Sequence, residues 1–255
     1  MQTLFIGQTL FFLHEVESTN TYASELLKNV NQPEGTIVYT DNQTKGRGQR
    51  GSVWRSDTGQ NLTLSLILQP KFLSTFNHFY LSKITALALH DLLTELLLNS
   101  QFDTKIKWPN DIIVNQKKIA GILIENTVLQ KEIQYSIIGI GLNINQTEFD
   151  TLENIATSLQ LLTNKGFDRM NVLEKLCVYM EKWYLKLKAS KLDEIDKTYL
   201  NHLFKVNELA DFIDVKSGNN FKAMIINVTT EGKLTLKLEN NNNVNFELKE
   251  VKLNF

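Results

Sequence analysis

The sequence predicts an α+β fold: a large domain that mixes helices and strands, followed by a small β domain. The chain has 255 residues, which is enough for one large and one small domain. Helical and strand patterns alternate irregularly up to about residue 203, and only short alternating strands follow. We therefore expect one domain over residues 1–203 and a second over residues 204–255.

Three segments have the apolar spacing of helices. The first, TYASELLKN, follows Ser18-Thr19-Asn20, which are candidate N-caps. The second covers residues 78–99 and is apolar over so much of its circumference that we expect it to be buried. The third runs from Asn171 to Ala189 and carries a single apolar stripe.

Strand patterns lie between these helices and after them. Gly35 to Tyr39 has the pattern of a short strand, and NLTLSLIL alternates leucines with small hydroxyl residues. The apolar runs 112–114 and 119–124 flank a polar turn and predict a hairpin, and YSIIGIGLNIN predicts another strand. After residue 203, the segments FKAMIINV, KLTLKL and VNFELKEVKL predict a small β barrel.

Composition argues against several classes of function. The formal net charge is −1, which does not favour a chain-wide basic surface for nucleic acid. A single cysteine excludes an intramolecular disulfide, and four scattered histidines show no spacing typical of a zinc site. The N-terminus lacks a signal-peptide pattern, and no apolar run approaches the ~20 residues that span a bilayer. We therefore expect a cytoplasmic protein.

The segment Thr44 to Trp54, TKGRGQRGSVW, contains a G-x-G-x-x-G pattern. Dinucleotide-binding folds require a helix directly after this pattern, and none is predicted here. Protein kinases also carry V-A-I-K, H-R-D and D-F-G segments, and none of these strings occurs in this sequence. A flexible surface turn is the simplest alternative. Lys45, Arg47 and Arg50 instead favour an anion site, and Trp54 supplies an aromatic platform.

Three further segments combine polar groups with strand patterns. KIKWPND should end a strand, because Pro109 stops pairing, and should present polar groups at its tip. KKIAGILIE places Lys118 just before the small residue Gly121, and GIGLNIN leads into Asn143. Each segment is also compatible with an ordinary strand exit or a solvated turn.

Together these segments resemble the biotin–protein ligases. ESTNTYA, NQTKGRGQRGSVW, KWPNDI, KIAGILIE and GIGLNIN follow the order and approximate spacing of that family's motifs. The resemblance covers essentially the whole chain. It implies a mixed sheet with flanking helices, similar to the class II synthetases, and an SH3-like C-terminal β barrel. The implied activity is ATP-dependent ligation of biotin to a lysine of a biotin carboxyl carrier domain through biotinoyl-AMP.

The resemblance also implies roles for individual residues. Lys118 would be the main catalytic residue, between the biotin carboxylate and the α-phosphate, with Arg47 and Lys107 as further catalytic groups. The biotin-binding residues would be Ser18, Thr19, Gln43, Gly46, Arg47, Gly48, Lys118, Gly121, Gly139 and Gly141. The ATP-binding residues would be Gln49, Trp54, Lys107, Asn110, Lys118 and Asn143. Mg²⁺ would arrive with ATP, and its protein ligands stay open.

Two departures from the family pattern have consequences. Many members carry a second arginine where this chain has Gln49, so retention of the adenylate is in question. Some members also carry an N-terminal DNA-binding domain and repress biotin genes. Here the STN motif begins at Ser18, and we expect a ligase without repressor function that binds neither DNA nor membranes. A homodimer is compatible with the resemblance.

Three alternatives remain at this stage. A lipoate or octanoate ligase has a related fold but lacks this glycine–arginine loop. A non-catalytic biotin binder would keep the pocket without turnover. A DNA-binding regulator would need a recognition helix and a basic face, and the sequence shows neither clearly.

Overall fold

A seven-stranded mixed sheet forms the centre of the fold in the computed structural model, which describes residues 1–98, 101–149 and 155–254. Its strands are β1 (Leu10–Val16), β2 (Ile37–Gln43), β3 (Leu62–Leu68), β4 (Thr104–Lys107), β5 (Asp111–Val114), β6 (Lys117–Leu129) and β7 (Glu132–Leu142). Their order across the sheet is β1-β2-β3-β7-β6-β5-β4. The pair β1–β2 is parallel, and the other neighbouring strands are antiparallel. The predicted mixed sheet is therefore confirmed.

Helices cover both faces of this sheet. Within the described residues they are α1 (Thr19–Asn29), α2 (Phe79–Leu97), α3 (Leu159–Thr163), α4 (Arg169–Lys188) and α5 (Leu192–Asn201). Helix α1 buries Ala23 against a small apolar cluster that includes Val38 and Ile137. Helices α2 and α4 pack on each other and on the leucine side of β3. Because α1 is short, its face of the sheet keeps room for a cavity.

Strand β3 shows how the two faces differ. Every residue of LTLSLIL is buried, although its alternation is typical of a strand with one exposed face. Leu64 and Leu66 belong to the main core, whereas Thr63 and Ser65 lie on the face that α1 partly covers. Buried hydroxyl groups require hydrogen-bond partners, so this face is prepared for polar contacts.

The C-terminal part of the chain forms a second, five-stranded antiparallel sheet. Its strands are β8 (Leu209–Asp214), β9 (Asn220–Val228), β10 (Leu234–Leu238), β11 (Asn243–Phe246) and β12 (Val251–Leu253), in the order β11-β10-β9-β8-β12. This sheet is consistent with the predicted SH3-like unit. The indole Nε1 of Trp108 donates to the carbonyl of Gly232 at 3.0 Å, and Lys83 Nζ donates to the carbonyl of Val228 at 3.1 Å. The two sheets also share one apolar core.

Several elements were not predicted from the sequence. Strand β1 lies at the edge of the sheet with much of its surface exposed, so its pattern is weak. Helices α3 and α5 are short, and β8 alternates only partly. VNFELKEVKL does not form one strand but β11 and β12, because a turn with Lys249 at φ 72° interrupts it. The end of the second predicted helix, residue 99, lies outside the described residues.

Candidate active site

A cavity opens on the α1 face of the main sheet, between α1 and the glycine loop (Thr44 to Trp54). It holds about 630 Å³ of unfilled space, part of it open to solvent. Every motif that the sequence analysis quoted contributes to its lining, although Lys107 of KWPND and Asn143 of GIGLNIN do not. The lining residues include Ser18, Thr19, Asn20, Gln43, Arg47, Gly48, Gln49, Trp54, Asn110, Lys118, Gly121, Gly139 and Gly141. Residues distant in sequence therefore meet at one cavity.

The floor of the cavity is a row of small residues across three central strands. Gly121 on β6 is opposite Gly141 on β7, which is opposite Thr63 on β3. In the neighbouring row, Gly139 is opposite Ser65. Because strand side chains alternate between the faces, these residues share the cavity face, and the missing Cβ atoms lower the floor.

Lys118 reaches this face because of a β-bulge. The β5–β6 register shifts between Ile112 and Ile113, so that Ile112 faces Ala120 and Ile113 faces Lys118. The extra residue, Ile119, lets Lys118 and Gly121 line the same cavity although they are three residues apart. A periodic pattern would place them on opposite faces.

The ammonium group of Lys118 is paired with Asp111. Its Nζ lies 2.7 Å from Asp111 Oδ1. This oxygen is buried and receives no aligned hydrogen bond within the described residues, so attraction between opposite charges holds the pair. Asp111 stands directly opposite Gly121 in the sheet, which brings the two charges together at the cavity edge.

Trp54 covers the glycines of the floor. A Cβ on Gly141 would lie 2.3 Å from the Trp54 indole, and one on Gly121 would lie 3.2 Å from it. Lys118 Nζ is 5.6 Å from the centre of the indole ring. The indole Nε1 is buried and has no hydrogen-bond partner among the described residues. A buried donor of this kind suits an acceptor on a ligand.

The opposite end of the cavity carries uncharged hydrogen-bonding groups. Gln43 Oε1 accepts from the backbone N–H of Thr19 at 2.8 Å and lies 3.1 Å from its hydroxyl. Ser65 Oγ lies 2.8 Å from Thr19 Oγ1 and 2.5 Å from Asn20 Oδ1. Ser18 is buried and precedes α1, but its side chain makes no capping hydrogen bond. Its position is therefore not explained by helix capping.

The glycine loop forms a small hairpin over this cavity. Arg47 and Val53 form an isolated antiparallel bridge, and Gly48 donates its N–H to the carbonyl of Ser52 at 2.7 Å. Gly46 is buried, and a Cβ added to it would lie only 2.2 Å from the carbonyl oxygen of Trp54. Arg47 turns its guanidinium toward Glu125, with Nη2 2.8 Å from Oε2. The G-x-G-x-x-G pattern therefore forms a strand–turn–strand loop and does not begin an α-helix.

A second cavity, of about 1030 Å³, lies between the KWPND segment and the C-terminal sheet. Gln49 and Asn110 line both cavities and so mark their border. Lys107 lines the second cavity, and burial lowers its pKa below the usual lysine value. Repulsion from Lys118 and Lys252 lowers the pKa of Lys107 further, while attraction to Asp111 raises it.

Two residues predicted for the site do not line either cavity. Asn143 is buried at the end of β7, where its side chain donates to the carbonyl of Thr157 at 3.0 Å. Gly46 lines a separate cavity beneath the glycine loop. Trp54 is predicted to lie near adenine, and its indole lies over the glycine floor. The functional assignments of all these residues stay predictions.

Four residues that sequence reasoning left unassigned contribute to the site: Asn20, Ser65, Asp111 and Glu125. Three of them stand inside quoted motifs, namely ESTNTYA, KWPNDI and KIAGILIE. Their position in those motifs was a usable signal. Ser65 had no such signal, because its role depends on which strand lies beneath α1.

Neither a metal site nor a membrane span stands out. In residues 1–98, 101–149 and 155–254, no group of three His, Cys, Asp or Glu side chains is arranged to hold a metal ion. Over the same ranges, no helix combines the length and apolar character needed to cross a bilayer.

Known proteins resemble this chain in sequence and fold. The profile of the Biotin/lipoate A/B protein ligase family matches residues 12–143. The chain is 34% identical to the bifunctional ligase/repressor BirA of Bacillus spizizenii, over 91% of this chain and 68% of that protein. It is 30% identical to the biotin–[acetyl-CoA-carboxylase] ligase of Paracoccus denitrificans, over 77% of this chain and 81% of that protein. The biotin protein ligase from Aquifex aeolicus in complex with biotin and ATP superposes with a TM-score of 0.78 at 27% identity, covering 97% of this chain and 99% of that one.

Proposed function

The chain belongs to the biotin/lipoate A/B protein ligase family, and from this membership we propose that it attaches biotin to a lysine of a biotin carboxyl carrier domain. The reaction depends on ATP. Biotin and ATP give biotinoyl-AMP and pyrophosphate, and the acceptor lysine then displaces AMP. The relatives support this activity, because they include biotin–[acetyl-CoA-carboxylase] ligases and a biotin protein ligase solved with biotin and ATP.

The position of Lys118 carries the proposal. It stands at one end of a cavity whose other end has uncharged hydrogen-bonding groups from Thr19 and Gln43. Biotin has the matching polarity, with an uncharged ureido ring at one end and a carboxylate at the other. Placed polar groups of this kind fix the orientation of a ligand in its pocket.

Lys118 and Lys107 would overcome the repulsion between the two substrates. A carboxylate must approach a triphosphate, and both are anions. Lys118 lines the first cavity and Lys107 the second, with Asn110 at their border. Positive groups fixed on either side of this border would lower the energy of the charge that develops at the α-phosphate. The carboxylate of biotin is itself the nucleophile, so no covalent enzyme intermediate is needed.

The other assigned residues would hold and shield the ligand. Ser18, Thr19 and Gln43 would bind the ring, and Gly121, Gly139 and Gly141 would give it room. Trp54 would exclude water from the reacting groups and offer its indole N–H. Mg²⁺ would arrive with ATP and would neutralise phosphate oxygens.

Biotin-dependent ATP–pyrophosphate exchange tests the proposal, with lipoate as the parallel substrate. We expect exchange with biotin and none with lipoate. Exchange with lipoate alone would instead identify the sister activity in the same family. Lys118→Ala should abolish exchange, and turnover that survives this substitution would refute the catalytic role of Lys118. Biotin binding without exchange in the unaltered protein would point to a non-catalytic binder.

We also propose four further properties. These are the domain boundary after residue 203, a cytoplasmic location, a homodimer, and the absence of repressor function. The acceptor is a carrier domain of a biotin-dependent carboxylase. Mixing the protein with biotin, ATP and such a domain should give a mass increase of one biotin on one lysine of the carrier.

A further inference from the structure

Glu125 joins the glycine loop to the wall of the biotin cavity. Its Oε2 atom accepts a hydrogen bond from Arg47 Nη2 at 2.8 Å. The same oxygen accepts from Asn20 Nδ2, also at 2.8 Å. A single carboxylate oxygen therefore connects a loop residue with the first turn of α1.

Asn20 is fixed from several sides. Its side chain is 3% exposed, and its Oδ1 lies 2.5 Å from Ser65 Oγ. Its carboxamide also fills the space over Gly139, where a Cβ would lie 2.5 Å from Oδ1. Asn20 thus forms a rigid part of the cavity wall, and Glu125 extends this rigid wall outward to Arg47.

The glycine loop is anchored at its two ends, where the N–H groups of Thr44 and Lys45 donate to the carbonyls of Val16 and Glu17 and where Trp54 lies over the glycine floor. A cavity of about 1090 Å³ lies under it, bounded by Leu123 and Glu125 on the sheet side. The Arg47–Glu125 pair spans this space. A second described ion pair holds the base of the loop, between Lys45 and Glu17 at 2.7 Å, but its side chains are 70% and 64% exposed. Between its two ends, the position of the loop depends on polar attachments such as the Arg47–Glu125 pair.

The Arg47–Glu125 pair is strong enough to place the loop and weak enough to be exchanged. It is a charge-assisted hydrogen bond with good distance. Its side chains are 44% and 40% exposed, and ion pairs at such exposure add little to folding stability. An anionic ligand entering the cavity that Arg47 lines can therefore compete with Glu125 for the guanidinium.

We propose that Glu125 is a positioning residue, which holds Arg47 and the glycine loop over the cavity until a ligand carboxylate or phosphate takes over the guanidinium. This inference rests on the proposed function for the identity of the anion. It assigns Glu125 no contact with the reacting atoms. Its effect should appear in ligand affinity and loop mobility, because the contact precedes the chemical step.

The test compares Glu125→Gln with Glu17→Gln. Both substitutions remove one negative charge from an ion pair of the same loop, and only Glu125 contacts Asn20. Amide hydrogen exchange of residues 46–52 is measured without ligand, and KM and kcat for biotin are measured by pyrophosphate exchange. For Glu125→Gln we expect amide hydrogen exchange of the loop to be at least about threefold faster and KM for biotin to be lowered about three- to tenfold, with kcat nearly unchanged, because a contact made only in the free protein opposes binding. Glu17→Gln should stay within about twofold of the unaltered protein.

Equal amide hydrogen exchange of the loop in Glu125→Gln and Glu17→Gln would overturn the inference. Faster amide exchange in Glu125→Gln with an unchanged KM for biotin would overturn it as well. Glu125→Asp serves as a second variant, since it keeps the charge. Its rate of amide hydrogen exchange and its KM for biotin should fall between those of Glu125→Gln and Glu17→Gln. Failure of the proposed function is distinguishable, because the unaltered protein would then not catalyse biotin-dependent pyrophosphate exchange. The loop measurement without ligand would still decide whether Glu125 holds the loop.

Discussion

Lys118 and Asp111 form an ion pair across a β-bulge, with Nζ and Oδ1 2.7 Å apart. Lys118 lines the cavity proposed for biotin, and Asp111 lines the cavity beside the C-terminal sheet. On the proposed function, the pair stands where the two substrates would meet. Asp111 would then fix the ammonium group of Lys118 in the position from which it serves both anions.

Asp111→Asn should slow adenylate formation. Asparagine cannot attract the ammonium group by charge, so Lys118 becomes less well oriented, and we expect kcat for pyrophosphate exchange to fall about tenfold or more. Affinity for biotin should not weaken, because a negative charge has been removed near its carboxylate. Asp103→Asn is the matched control, since Asp103 pairs with Lys105 at 3.5 Å and is largely exposed. Equal kcat values for the two variants would contradict the positioning role.

Gly141→Ala should damage the site without unfolding the protein. The added Cβ would lie within 2.3 to 2.7 Å of the Trp54 indole, which must move away from the floor. We expect KM for biotin to rise at least about tenfold while the thermal midpoint changes little, because the indole sits in a loop. Gly166→Ala is the control, since its Cβ would meet nothing closer than 3.9 Å. A KM like that of the control would show that Trp54 does not shape the pocket.

Gln49→Arg should slow the release of biotinoyl-AMP. Gln49 lies at the border of the two cavities, and an arginine there would add a positive charge beside the phosphate of the intermediate. We expect the release rate to fall about three- to tenfold, measured by rapid filtration of labelled adenylate. Gln60→Arg adds the same charge at an exposed position away from the cavities. A release rate unchanged by Gln49→Arg would refute the idea.

His202 should make stability depend on pH. Its ring stacks on that of His90 with centroids 3.8 Å apart. Burial lowers the pKa of His202 from 6.5 to about 4, and repulsion from His90 and Lys105 adds to this shift. The unfolded chain therefore takes up the proton first. The contribution of neutral, buried His202 to the free energy of unfolding is complete above pH 6.5 and is lost as the pH falls toward about 4.

The expected loss in the free energy of unfolding is about 1–2 kcal/mol, which is less than the full pKa shift implies, because His202 is only partly buried and solvent screens its charge. Urea unfolding at about pH 7 and about pH 4.5 measures it, with His202→Gln expected to show a smaller difference. The exposed His78→Gln should keep the difference of the unaltered protein. A difference unchanged in His202→Gln would mean that other groups cause it.

The fold class, the main helices and most central strands could be predicted from the sequence, because periodic burial of apolar residues leaves a local pattern. The sequence also determined which motifs resemble a biotin ligase. The glycine loop, KWPND and KIAGILIE were recognisable from residue types and spacing. These features depend on neighbours along the chain, and so they can be read without knowing the packing.

The contacts between those motifs could not be predicted in the same way, because they form between residues that are distant in the chain. A bulge at Ile119 turns Lys118 toward the cavity, and the antiparallel register sets Asp111 beside it. Glu125 reaches both Asn20 and Arg47, which are 105 and 78 residues away in sequence. Hydrogen bonds and ion pairs between distant residues leave no periodic signal along the chain. Their partners are fixed by strand order and register, which the packing of the whole chain selects.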